Sequence, residues 1–188
     1  MKKKEKGSYG YIRRQQFLTI IRTVILFALS LGLYATGLIT TGSNKNLLTV
    51  IAVLGLLPAA KSMVNMIMFL RFRSLDPASY AQYESALNGV AVLYENILTT
   101  KEQAYYLPVL TCSNHTVCAY CPGSGELKEL ESHIRECVRT EGIDISVKIF
   151  ANEQLFLDRL PGLSKMLSDA LDQKDTDRIF AVIKAVSL

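Results

Sequence analysis

All four cysteines and both histidines of this 188-residue chain fall between positions 112 and 137, in the order Cys112-x2-His115-x2-Cys118-x2-Cys121-x11-His133-x3-Cys137. Thiolates and imidazoles are the ligands zinc prefers, four of them around a tetrahedron. Cys118, Cys121, His133 and Cys137 form one candidate set, with a Cys pair beside a turn and a His–Cys pair one helical turn apart. Cys118-x2-Cys121 is also the spacing of a dithiol redox pair. Its active thiol wants a helix N-terminus, however, and here Pro122-Gly123-Ser124-Gly125 follows. In the third reading the thiols are small apolar fillers. Sterics favour that one. On a regular strand Cys118 and Cys121 point to opposite faces, and Cys137 falls on the apolar stripe of its helix.

The elements that position these residues are legible from periodicity. Asp76 suits an N-cap with Pro77 at the first helical position. Tyr80, Tyr83, Leu87, Val90, Tyr94 and Ile97 recur every three or four residues and predict an amphipathic helix over 77–99. Residues 103–112 read as a strand, Ser113-Asn114-His115 as a turn that leaves His115 exposed, and 116–121 as a second strand. Residues 126–140 predict a helix with acids in its first turn. Residues 143–149 alternate as a half-buried strand. Helices follow at 152–160, 163–171 and 175–186, with Pro161-Gly162 as the first break. The expected order is α-β-β-α-β-α-α-α, a small α/β domain over 74–188.

Two resemblances bear on chemistry. Cys118-x2-Cys121-x11-His133-x3-Cys137, with Leu130 three residues before the histidine, resembles zinc-finger spacing, although no second strand separates Cys121 from the helix. The run of helix, hairpin, helix and strand resembles the core of nucleases of the restriction-endonuclease type. Those need acidic metal ligands and a lysine on the hairpin strands to hold Mg²⁺. Residues 103–125 contain no Asp, Glu or Lys, so the resemblance implies at most a degenerate nuclease-like binding domain. No serine triad order, phosphate loop or dinucleotide fingerprint is present. The expectation is a non-catalytic domain.

The N-terminal third is of another kind. Apolar runs over 23–41 and 47–70 flank a polar gap at 42–46, and each is long enough to cross the ~30 Å hydrocarbon layer. Residues 1–73 carry eleven Lys or Arg against the single acid Glu5, whereas 74–188 carry ten against sixteen acids. The basic charge therefore belongs beside the spans rather than to a nucleic-acid surface, and no nucleic-acid partner is expected. Seven of these cations precede the first run, Arg71 and Arg73 follow the second, and only Lys45 lies between. The positive-inside rule predicts a two-span transmembrane hairpin with both flanks cytoplasmic, in the cell (inner) membrane. The expected division is a basic N-terminus at 1–22, the hairpin at 23–71 and the cytosolic domain.

Ala28, Gly32, Ala35 and Gly37 in the first span, and Ala52, Gly55, Ala59 and Ser62 in the second, are small residues suited to close helix packing in lipid. Lys61, with Pro58 before it and Asn65 one turn on, is a polar patch within the second span. Counted from Arg71 it lies ~15 Å deep, where a lysine is costly. The stretch 57–68 resembles that of small, uncharacterised two-span bacterial membrane proteins, which implies anchoring and nothing about chemistry. The partners expected are the lipid bilayer and a protein, or further copies of this chain. Zinc is the one cofactor considered.

Overall fold

The structure is a computed structural model, and it describes residues 5–42, 47–113, 115–123, 127–167 and 173–188. Lys45 with most of the polar gap, Asn114, Ser124, Gly125, and the end of the helix expected at 163–171 lie outside the described residues. The chain divides into two compact units, one of Ile12–Arg73 and one joining the residues up to Tyr11 with Ser74–Leu188.

The first unit is a pair of long helices, α1 (Tyr11–Thr41) and α2 (Leu47–Leu70). Both are long and apolar enough to cross a membrane. They meet along a seam whose spacing alternates three and four, the 3.5-residue period of left-handed packing. On α2 the seam carries Ala52, Ala59, Ser62 and Phe69, all buried. A Cβ on Gly55 would stand 2.9 Å from the Ser30 Oγ. On α1 it carries Thr23, Ser30 and Gly37. The Thr23 and Ser62 hydroxyls hydrogen-bond across it at 2.9 Å, and Gln16 donates to the carbonyls of Phe69 and Phe72. The second-span stripe packs as expected. The first-span stripe does not, since Ala28, Gly32 and Ala35 are exposed. Burying the hydroxyl pair selects the register, because each hydroxyl then finds a partner in an apolar setting.

The second unit is a three-layer α/β/α sandwich. Its helices and strands are α3 (Pro77–Ala86), β1 (Val92–Thr99), β2 (Ala104–Ser113), β3 (Thr116–Tyr120), α4 (Leu127–Arg139), β4 (Ser146–Phe150), α5 (Glu153–Leu167) and α6 (Gln173–Val186). The sheet runs β1-β2-β3-β4, antiparallel up to β3 and parallel from β3 to β4. Leu130, Ile134 and Val138 of α4, with Ile179 and Ile183 of α6, close one face. Tyr83 and Leu87 from the α3 end, with Phe156 and Leu160 of α5, close the other.

Two expectations are corrected. The helix expected over 77–99 stops at Ala86, and β1 takes its second half. The observed order is α-β-β-β-α-β-α-α. Gly89 adopts φ +83, a left-handed turn that suits glycine and ends the helical run. The spacing of Val90, Tyr94 and Ile97 fits a helix by coincidence, while the Val, Leu, Tyr and Ile content fits a pleated strand. The break expected at Pro161-Gly162 is also absent, and α5 continues to Leu167.

The segment before α1 divides differently from the basic N-terminus expected at 1–22. Tyr94 N–H donates to the Gly7 carbonyl at 2.9 Å. Lys6 Nζ reaches the Ser187 carbonyl at 2.7 Å. Tyr9 stacks on Tyr80 at 4.1 Å, and Tyr80 meets Tyr94 edge-on at 5.0 Å. Gly7 is held at φ +84, where a Cβ would stand 2.7 Å from Leu93 Cδ2. Leu188 N–H donates to the Ile97 carbonyl. Both segments therefore cover the free edge of β1, which would otherwise invite pairing with another chain.

Candidate functional site

A cavity of about 770 Å³ opens between α4 and α6. One wall is built from His133 and Cys137 of α4, which the helical period places on one face, with Thr140 just past its end. Ala181, Val182 and Ala185 of α6 give it an apolar floor, and Lys101, Glu136, Glu141 and Arg178 give it a charged rim. Arg178 is committed in part, to Asp175 at 3.7 Å and to the Glu141 carbonyl at 3.4 Å. His133 Nε2 lies 3.8 Å from Cys137 Sγ. Burial, and then Glu136, pushes the Cys137 thiol up, so it is held protonated. The groove is lined by apolar and charged groups together, and it offers no activated nucleophile.

The other thiols lie elsewhere. Cys118 joins the core on the α3/α5 side, while Cys112 and Cys121 join the core on the α4/α6 side. Burial pushes the Cys112 thiol up to about 12 and Cys121 to about 11, and raises Cys118. All four cysteines are free. Of the four residues considered for zinc, the structure brings His133 and Cys137 together and sets Cys118 and Cys121 on opposite faces of the sheet. Among the described residues no three His, Cys, Asp or Glu side chains converge. His115 sits in its turn at φ +60, with Nε2 3.6 Å from the Asp175 carboxylate. It ties that turn to α6.

The residue that sequence reasoning missed is Glu95. It is 2% exposed, in the middle of β1, at φ +53. It faces Pro108 across the ladder, where the pairing of β1 with β2 skips one rung without losing register. Its carboxylate accepts from Ser74 Oγ and from the Leu75 N–H at 2.9 Å, so it grips the chain between Arg73 and α3. Asn96 beside it is equally buried, and its amide has no hydrogen-bond partner. The signal was available as the polar pair Glu95-Asn96 inside an apolar β-forming run. Glu95 is also the only acid in strands β1, β2 and β3, and it is engaged by the Ser74 hydroxyl and the Leu75 N–H.

Lys61 and Asn65 are both exposed on α2, turned away from the seam. No protein-family model, curated protein or solved structure matches the chain.

Proposed function

We propose that this chain is an integral membrane protein of the cell membrane, in which α1 and α2 cross the bilayer as a hairpin. The α/β unit then lies on the cytoplasmic side and binds a partner, most simply a protein, without catalysis. One observation carries the membrane reading. Large apolar side chains stand exposed all round the helix pair, among them Val24 at 60%, Leu29 at 61%, Ile39 at 83% and Leu57 at 68%. In the α/β unit Leu155 alone among the described residues is exposed in this way. Each such side chain left in water forfeits ~1.5–3 kcal/mol, and lipid is the medium that covers the whole circumference. The α/β unit contains residues from before α1 and after α2. Both flanks of the hairpin thus belong on one side, and the cations there make that side cytoplasmic.

The groove between α4 and α6 supports the binding role, since it combines an apolar floor with unlike charges on its rim. Two measurements test the proposal. The full chain should sediment with membranes from a detergent-free lysate, and protease added outside intact cells should leave residues 74–188 uncut. In detergent, the full chain should retain a stoichiometric partner that Ala181→Arg, at the groove floor, releases. Turnover of a substrate, lost on a point substitution, would replace binding with catalysis.

Two other readings have specific support. The His133–Cys137 pair supports a zinc-binding module, and metal analysis of the purified full chain decides it. The helix-clad mixed sheet supports a degenerate nuclease-like binding domain, and retention of DNA by the full chain would favour that.

A further inference from the structure

The antiparallel register of the hairpin follows from three contacts, Thr23 with Ser62, Ser30 with Gly55, and Gln16 with Phe69. In each, the two residue numbers total 85. By that rule Lys61 is level with Val24, and Arg22 is level with Met63. The side follows from the seam. Arg22 immediately precedes the seam residue Thr23. Asn65 immediately precedes Met66, which continues the seam from Ser62. In an antiparallel pair of heptads the positions just before these seam residues share one flank. Lys61 stands one turn from Asn65 on that same flank. All three side chains are exposed, and neither helix contains an acid.

Depth follows as well. Arg22 lies 19 residues from Thr41, ~28 Å along the helix, and Lys61, level with Val24, lies ~26 Å from the same end. With the loop end of the hairpin at one boundary of a ~30 Å hydrocarbon layer, both cations come to the other boundary. Their alkyl stems reach the last few ångströms to the headgroups. Counting inward from Arg71 places Lys61 near the midplane instead. The difference arises because α1 starts at Tyr11 and α2 runs to Leu70, which makes the helix pair longer than the hydrocarbon layer.

We propose that Arg22, Lys61 and Asn65 form a site for the phosphodiester of an anionic phospholipid in the cytoplasmic leaflet, on one flank of the hairpin. Two cations and an amide donor share one flank near headgroup height, neither helix carries a carboxylate to neutralise them, and a phosphate oxygen is the acceptor available there. The inference rests on the membrane reading above, and the two fail separately. A chain that stays in the supernatant of a detergent-free lysate refutes the membrane reading first.

The test is native mass spectrometry of the purified full chain in detergent with equal amounts of phosphatidylglycerol and phosphatidylcholine. Phosphatidylglycerol should be retained preferentially by at least tenfold. Lys61→Gln and Arg22→Gln should each lower that preference about fivefold, from ~1 kcal/mol per cation at the surface. Lys61→Arg should preserve it, and Arg71→Gln, an equal charge change outside the cluster, should leave it alone. Equal retention of the two lipids, or a Lys61→Gln protein that behaves as wild type, would overturn the proposal. So would displacement of the bound lipid by excess inorganic phosphate, which would assign the site to a soluble anion.

Discussion

Replacing Glu95 tests how the α/β unit grips the chain as it arrives from α2. Glu95→Ala removes the carboxylate that accepts from Ser74 Oγ and Leu75 N–H. A hydrogen bond to a charged group contributes ~1.5–3 kcal/mol net, and the orphaned N–H adds to the loss. Alanine also keeps the left-handed strain at φ +53, ~1–2 kcal/mol for a residue with a Cβ. That strain is common to wild type and the alanine variant, so the two lost hydrogen bonds set the expected loss for Glu95→Ala at ~3–5 kcal/mol, or a Tm lowered by ~10–20 °C in a domain of this size. Glu95→Gly loses the same hydrogen bonds but relieves the strain, so it should cost ~1 kcal/mol less. Glu95→Gln keeps one acceptor oxygen and should cost least. Thermal unfolding of the full chain in detergent, followed by near-ultraviolet signals from the tyrosines, gives the order Gln, Gly, Ala. A glycine variant less stable than the alanine variant would refute the strain argument. A glutamine variant as damaged as alanine would show that charge, rather than the acceptor geometry, holds Ser74 and Leu75.

Three further outcomes follow. Thr23→Cys with Ser62→Cys should cross-link readily under oxidation, because the native hydroxyl oxygens are 2.9 Å apart. Gly55→Val should slow that cross-link by driving a Cβ into Ser30, and Ser30→Gly in the same chain should restore it. At alkaline pH Cys137, the one half-buried thiol, should react first with a water-soluble disulfide, and the three buried thiols should wait for denaturant. Fast labelling of Cys118 or Cys121 would mean that the sheet opens. Burial, with the Glu153 carboxylate as acceptor, pushes the Tyr83 phenol well above its ordinary value of 10.0. The folded state keeps this proton where the unfolded chain gives it up. Its contribution is thus whole below pH ~10 and fades as pH rises beyond. Tyr83→Phe should flatten that alkaline loss of stability by one proton's worth, and an unchanged slope would count against the buried hydrogen bond.

The elements legible in the sequence were those in which one period has no rival. β2, β3, α4 and β4 fall within a few residues of expectation because the alternation over 143–149 and the stripe at Leu127, Leu130 and Ile134 each fit one template. Residues 87–99 fit two, and the turn at Asn88-Gly89 decides between them. The hairpin was plain from its length. Its first-span face was not, since small residues lie on both sides of α1, and the Thr23–Ser62 hydroxyl pair that chooses between them is visible only once α2 is in place. The thiols show the same limit. Alternation separates Cys118 from Cys121 and the helical turn pairs His133 with Cys137, but the groove around that pair depends on α6, some forty residues on. Glu95 was overlooked because residues 77–99 read as one helix, on which a lone acid is unremarkable, and its partners Ser74 and Leu75 lie twenty residues away.

Lys6 and Ser187 clasp each other across 181 positions, and that imposes a schedule on biogenesis. The segment carrying Lys6 is synthesised before both long helices and the whole sheet, yet finds its seat only after them, since the residues it grips emerge last of these. Loop closure over such a distance is entropically slow. The rim of β1 must therefore wait, unsealed, until the last residues of the unit arrive. A nascent chain stalled in that interval would show the bare strand to its neighbours, and a polysome crowded with sibling chains is where it would be most exposed to mispairing.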